Sequence, residues 1–281
     1  MASAKDLTNL TDRVAIITGG AGFLGREFGR TLAEAGARVV VADVNQEAAE
    51  TFARSLAATR QTQILPVQTD VTNRESVRAM VSSVQEAFGR IDALVNCAAL
   101  DPKFDPKEAG KHMQDFEGTP LEAWQQSLAV DLTGAFLCAQ AVAPIMRKQN
   151  RGVLVNISSM YGVAGPDQRL YEKDDGSRGY KPPSYSATKA ALDGFTRYLA
   201  AYFAGTNIRV NTLTLGGVFN KALMLGVPQI VAGALEATKD MEPDEKYEAL
   251  AATAAQVMST MPPRENPRLN KSLDSVHASG P

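Results

Sequence analysis

Val14-Ala-Ile-Ile-Thr18 runs without a break into Gly19-Gly-Ala-Gly22-Phe23-Leu24-Gly25 and then into a helix-forming segment. A β-branched run, a glycine-rich turn and an amphipathic stretch in direct succession read as a buried strand turning sharply into a helix. Gly20, Gly22 and Gly25 meet the G-x-G-x-x-G spacing of a dinucleotide site in that strand–turn–helix setting. Such glycines let the backbone bend tightly and approach a pyrophosphate at the positive end of the helix. Asp43 closes the next β-branched run, 18 residues beyond Gly25. A carboxylate there accepts hydrogen bonds from an adenosine ribose and repels a 2′-phosphate, which predicts NAD over NADP; the alternative is a solvated turn residue before Asn45. Asp70-Val71, after the third strand, reads either as a border of the adenine pocket or, for Asp70, as a helix cap.

The same alternation continues to about residue 216. Strands are predicted at 14–18, 38–42, 62–67, 93–96, 152–157 and 208–213, with helices near 23–35, 46–58, 73–88, 121–149 and 184–204. The third helix opens with Thr72 or Asn73 as cap and Glu75 just inside. Strands alternating with helices give a doubly wound, Rossmann-like α/β fold with a parallel sheet, here as one domain over 1–220. Two connections, 100–120 and 160–183, are long and polar and leave the carboxyl ends of strands, which predicts a role in substrate binding. Residues 221–281 read as a divergent helical segment with a polar, Pro-bearing, disordered tail and no β-rich run.

At 281 residues, 44% hydrophobic and 21% charged, the chain is long enough for one large domain with a substantial core. A formal net charge of −2 with no Lys/Arg stripe argues against a nucleic-acid partner. No signal-like N-terminus and no run approaching roughly 18 apolar residues is visible, so a cytoplasmic protein without a membrane partner is expected. Cys97 and Cys138 lie in apolar stretches and read as buried hydrophobes; His112 and His277 are isolated, so no metal is expected.

The chemistry is carried further along. Tyr185 and Lys189 stand four apart on a predicted helix, so both side chains rise from one face. A tyrosine titrating near pH 10 is a poor base, and an ammonium beside it favours the phenolate, as a hydroxyl-deprotonating acid/base requires. Upstream, Ser158 and Ser159 set hydroxyls at the carboxyl end of the fifth strand.

Taken together, TGGAGFLG, Asp43, Asp70-Val71, Asn96-Cys-Ala-Ala, the serine pair, Tyr185-x-x-x-Lys189 and Arg209-Val-Asn211 resemble the short-chain dehydrogenase/reductase family over roughly residues 10–220. The stretches AALDPKFD and YGVAGPDQRLYE more narrowly resemble members associated with bacterial surface-sugar and flagellin glycan biosynthesis. The resemblance implies Tyr185 as acid/base, Lys189 lowering its pKa and bonding the nicotinamide ribose, and Ser159, rather than Ser158, polarising the substrate oxygen. It places Asn96 and Ala98 along the cofactor and Val218 near the nicotinamide carboxamide, with Gly19, Gly22, Phe23, Leu24 and Gly25 at the phosphates. Its fourth catalytic position, usually Asn, is Asp131 here, and a proline usual after the sixth strand is Leu215. Compact members place a glycine where Phe23 stands; Gly19, Gly22 and Gly25 instead follow the spacing of longer members, and Phe23 is expected to pack as an apolar residue. The family's closing seventh strand has no match in 221–281. A homodimer through the helices at 121–149 and 184–204 is implied, with a tetramer less secure. The expected activity is hydride transfer between NAD and a secondary alcohol or ketone, possibly of a sugar; a catalytically silent NAD-binding or assembly protein is the rival reading.

Overall fold

The computed structural model describes residues 9–60, 62–100, 115–171 and 179–216. Among them, six parallel strands form one sheet in the order β3-β2-β1-β4-β5-β6. The strands are β1 Val14–Thr18, β2 Arg38–Asp43, β3 Ile64–Gln68, β4 Ala93–Asn96, β5 Gly152–Ser159 and β6 Ile208–Leu215. Helices α1 Phe23–Glu34, α2 Gln46–Thr59, α3 Arg74–Phe88, α4 Leu121–Gln149 and α5 Pro183–Tyr202 cover it. This is the doubly wound α/β sheet expected from the alternation. β3 starts two residues later than expected, and β5 and β6 each run two further.

Burial follows the pleat. β1 is buried at every position. Ile16, Val40 and Leu94 face one layer, and Ile17, Val39, Val41 and Val95 the other. Alternate side chains point to opposite faces, so a run apolar throughout needs cover on both. Val77, Met80 and Val84 of α3, Leu137, Val142 and Met146 of α4 and Leu199 of α5 close the first face. Ala33 of α1 and Ala49, Phe52 and Leu56 of α2 close the second. Each fully buried side chain of Leu, Ile or Met size contributes about 1.5–3 kcal/mol relative to exposure.

Helix α4 departs from the expected uniform helix. Leu128–Thr133 forms a π-helical turn between the α-helical stretches Leu121–Ser127 and Gly134–Gln149. Such turns re-aim side chains within a helix, and this one carries Asp131, which is 1% exposed. By length and mean composition α4 is long and apolar enough to cross a membrane, although polar residues such as Asp131 and Gln140 interrupt it. In the fold, Cys138, Val142 and Met146 are fully buried against the sheet, as in a core helix of an α/β domain.

Asn45 caps α2 through Ala48 N–H, and Asn73, not Thr72, caps α3 through Ser76 N–H, both at 3.0 Å. Just before β4, Asp92 accepts from Val14 N–H at 3.0 Å and from Arg90 Nε and Nη2, both at 2.7 Å, which ties the start of β1 to the neighbouring strand. Burial acts to raise the Asp92 carboxyl, but the Arg90 hydrogen bonds, the Val14 N–H and the charges of Arg90 and Arg13 outweigh it and hold it below the usual value. The strand order reverses at β1, between β2 and β4. In sheets of this kind ligands bind at the carboxyl edge of that switch point. The boundary expected near residue 220, the seventh-strand question, and the predicted roles of Val218, His112 and His277 lie outside the described residues.

Candidate active site

The turn after β1 has no room for a side chain at Gly19, Gly20 or Gly25. Gly19 has φ +63, and a Cβ there would lie 2.8 Å from Ala98 Cα. A Cβ on Gly25 would collide with Gly19 O and sit 2.7 Å from Gly20 Cα. The peptide of Ala21 is held from both sides: its N–H donates to Asp43 Oδ2 at 3.0 Å, and its carbonyl accepts from Arg26 Nε at 2.8 Å. Gly22 is the N-cap of α1, no side chain caps that end, and the first turn carries no acidic residue. The first-turn N–H groups of α1 are therefore left uncapped by any side chain, with the Asp43 carboxylate engaged one residue earlier at Ala21, beside backbone that a ligand can approach closely. These residues fit a dinucleotide pyrophosphate.

Asp43 performs the turn role and ties down the glycine turn as well, because its second oxygen accepts from Asn45 N–H at 3.0 Å. Phe23 does not pack as expected. It is 50% exposed, because the first residue of α1 stands on the face opposite the buried Gly25, Gly29 and Ala33. Leu24 beside it packs against the core on the α1 side.

The second half of the site forms where β5 meets α5. Lys189 is buried, and its Nζ donates to Ile157 O at 2.9 Å and lies 5.6 Å from the Tyr185 ring centroid. Ser158 donates its hydroxyl to Lys189 O at 3.0 Å, a structural bond that leaves Ser159 as the chemical candidate of the pair. Ser159 Oγ accepts from Tyr161 N–H at 3.2 Å, so its own proton remains available to a reacting oxygen. A short 3-10 turn, Met160–Gly162, follows β5 and lies directly on α5. A Cβ on Gly162 would sit 2.8 Å from Lys189 C. The ring of Tyr161 meets that of Tyr185 nearly edge-on, with centroids 6.4 Å apart. The strand end bearing Ser159 and the helix face bearing Tyr185 and Lys189 are thereby locked in register.

A short-chain dehydrogenase family model matches residues 13–224, and a family of unknown function, DUF5938, matches residues 199–281. Cis-4-hydroxycyclohexanecarboxylate dehydrogenase of Sinomonas cyclohexanicum is 34% identical over 253 residues, which is 88% of this chain and 91% of that protein. The chain belongs to the short-chain dehydrogenase family. D-threitol dehydrogenase of Mycolicibacterium smegmatis is 31% identical, covering 76% of this chain and 75% of its own. A solved NAD+-bound xylitol dehydrogenase superposes with a TM-score of 0.65 at 28% identity, covering 80% of this chain and 77% of that one. These relatives are varied dehydrogenases, and none of the three is named for surface-glycan biosynthesis.

As a short-chain dehydrogenase, the chain has several features that its sequence did not disclose. Thr18, buried at the end of β1, accepts from both Cys97 N–H (3.1 Å) and Ala98 N–H (3.2 Å) and so fixes the loop after β4 against the glycine turn. Asn96 turns inward: its Nδ2 donates to Asn156 Oδ1 at 2.8 Å, and Asn156 in turn donates to Thr196 Oγ1 at 2.8 Å. Its side chain therefore ties β4 to β5 and α5, while Ala98 stands at the turn itself. Asp70 Oδ1 accepts from both the N–H (2.9 Å) and the hydroxyl (2.7 Å) of Thr72, a local turn, and the capping role suggested for it belongs to Asn73 instead. Val71 is buried, against the Cα of Gly134. Asp131 accepts from Leu100 N–H at 2.7 Å and from Thr188 Oγ1 at 3.1 Å, so it braces the loop after β4 and α5 one residue before Lys189. Burial pushes the Cys97 thiol up to about 11, with Lys189 pulling it down and Asp43 up; burial alone pushes Cys138 up to about 12. Both are free cysteines and stay protonated at neutral pH, as small buried hydrophobes do.

Proposed function

We propose that this short-chain dehydrogenase is an NAD-dependent oxidoreductase that interconverts a secondary alcohol and its ketone. The observation that carries the reading is the buried Lys189, anchored on Ile157 O and set against Tyr185, beside the strand end that carries Ser159. Bound NAD supplies the acceptor or donor of the hydride. Tyr185 passes a proton between its hydroxyl and the reacting oxygen, with Lys189 favouring the phenolate. Ser159 holds that oxygen with its free proton. Gly19, Gly22 and Gly25 with the N-terminal turn at Phe23 and Leu24 take the pyrophosphate, and Asp43 takes the adenosine ribose while it braces Ala21. In this reading Asp70, Val71, Asn96 and Ala98 line the cofactor, Asn96 and Asp70 through the backbone that they fix, and Val218, outside the described residues, is assigned to the nicotinamide carboxamide from the family resemblance alone. The NAD-bound xylitol dehydrogenase supports NAD as the cofactor.

The relatives are named for a hydroxylated ring acid and for polyols, which makes hydroxylated rings and sugar alcohols the first substrates to test. An initial-rate screen of 4-hydroxycyclohexanecarboxylate, threitol and xylitol with NAD and NADP, alongside cofactor titration, tests the function. Turnover with NAD is expected; NAD binding without turnover on any secondary alcohol would favour the silent reading. A homodimer through α4 and α5 belongs to the same proposal. Phe136 of α4 and Tyr198 and Tyr202 of α5 are exposed, and the two tyrosine rings stack at 6.1 Å, an apolar surface of the kind subunit interfaces cover. Light scattering should return a dimer or a multiple of it.

A further inference from the structure

Lys189 is not the cation nearest the Tyr185 ring. Lys181 Nζ lies 3.9 Å from the ring centroid, against 5.6 Å for Lys189 Nζ. Its backbone is pinned by a two-way bond to one side chain: Lys181 N–H donates to Gln168 Oε1 at 2.8 Å, and Gln168 Nε2 donates to Lys181 O at 3.3 Å. Gln168 opens a second 3-10 turn, Gln168–Tyr171, in the segment that follows β5. Pro182 and Pro183 come directly after Lys181, and Pro183 is the first residue of α5. Proline fixes φ, so the path from Lys181 to Tyr185 has little freedom. The backbone from which the ammonium extends is thus held from the loop side and from the helix side at once.

We propose that Lys181 is a second positioning residue for the acid/base, acting through Tyr185: its ammonium against the ring favours the phenolate alongside Lys189. A cation over a phenol face is attracted more strongly to the ionised ring than to the neutral one. The proposal rests on the reading of Tyr185 as the acid/base. Among the described residues, the charged and titratable groups around Tyr185 are Lys181 from the loop, Lys189 from α5, Tyr161 edge-on from the turn after β5, and Asp131 of α4, which reaches α5 through Thr188. Tyr171 stands behind Tyr161, its hydroxyl donating to Tyr161 Oη at 3.4 Å. Of these groups, the two described cations favour the phenolate and the described carboxylate opposes it. Gln168 tunes the effect by fixing the backbone that carries the nearer cation.

The test needs neither substrate nor cofactor. The full chain, labelled with 13C at the tyrosine ζ-carbon, is titrated by NMR, and the Tyr185 signal among its 7 tyrosines is assigned by its loss in Tyr185→Phe. Lys181→Met should raise the Tyr185 midpoint by about one pH unit, and Lys181→Arg should keep it low. Gln168→Ala, which retains the ammonium and removes its tether, should raise it by a smaller amount. A merely structural Lys181 would lower Tm without moving the midpoint. If Lys189→Met raises the midpoint and Lys181→Met leaves it within about 0.3 unit, the proposal is overturned and the reading of Tyr185 stands. If neither variant moves it, that reading falls too. Should Lys181→Met fail to fold, an unmoved midpoint in Gln168→Ala overturns the proposal.

Discussion

Replacing Gly25 with alanine tests whether the turn after β1 is a cradle or only a bend. The new Cβ would collide with Gly19 O and lie 2.7 Å from Gly20 Cα and 2.9 Å from Gly19 C. Ordinary contact at such a Cβ begins at 3.4 Å. All three clashing atoms are backbone, so no rotamer change relieves them. Relief requires α1 and the turn to separate by roughly 0.5–1 Å, an overpacking change that costs about 1–3 kcal/mol. The separation also moves the N–H groups of α1 away from the Ala21 peptide that Asp43 and Arg26 hold. If that cost appears in binding, NAD affinity weakens by about 5- to 150-fold; if it appears in the free protein, Tm falls by roughly 2–12 °C. Calorimetric titration with NAD and a thermal melt, run on Gly25→Ala and the parent together, read both. An unchanged affinity together with an unchanged Tm would refute the steric account of this glycine.

Three further outcomes are expected. Asp92→Ala, which leaves Val14 N–H and the Arg90 guanidinium without their acceptor, should cost about 2–4 kcal/mol at pH 7, less than a fully dry ion pair because Arg90 is partly hydrated. The Asp92 carboxyl is held below its unfolded value of 3.8, so its contribution is present above that pH and lost as pH falls through the folded value; the gap between the two melts should be full above about pH 4 and narrow only as pH falls further, through the folded value. Asp43→Ala should raise the NADP:NAD ratio of kcat/KM by about tenfold or more and weaken NAD as well, because the Ala21 bond is lost; an unaltered ratio would contradict the ribose assignment. Asp131→Asn should keep turnover within about tenfold, since Oδ1 still accepts from Leu100 N–H and the amide can donate to Thr188; a larger loss would show that the carboxylate charge is needed.

The sheet was legible because β1, β2 and β5 are apolar runs that demand cover on both faces, and the helices between them carry one apolar stripe each. Tyr185 and Lys189 could be picked out because helical spacing puts them on one face and the serine pair at the end of β5 and the glycine turn supply the context that spacing lacks. The π-turn at Leu128–Thr133 was not, because one extra residue per turn barely disturbs the hydrophobic pattern. Neither was the inward turn of Asn96, since a polar residue at a strand end reads alike whether it faces a ligand or a partner such as Asn156. Phe23 misled for a related reason: its helix position fixes its face, and at the first residue that face is solvent. Lys181 was invisible because its pairing with Gln168 is a contact between two loop segments with no periodic signature.

The central claim is that Tyr185 moves the proton and the glycine turn holds the cofactor, so the two functions should separate. The direct measurement is turnover and NAD affinity of Tyr185→Phe on a substrate that the parent oxidises. NAD affinity should stay within about twofold while turnover falls by about 10²- to 10⁴-fold, the usual contribution of a positioned acid/base. Turnover equal to the parent's would contradict the assignment of the base, and with it the mechanism.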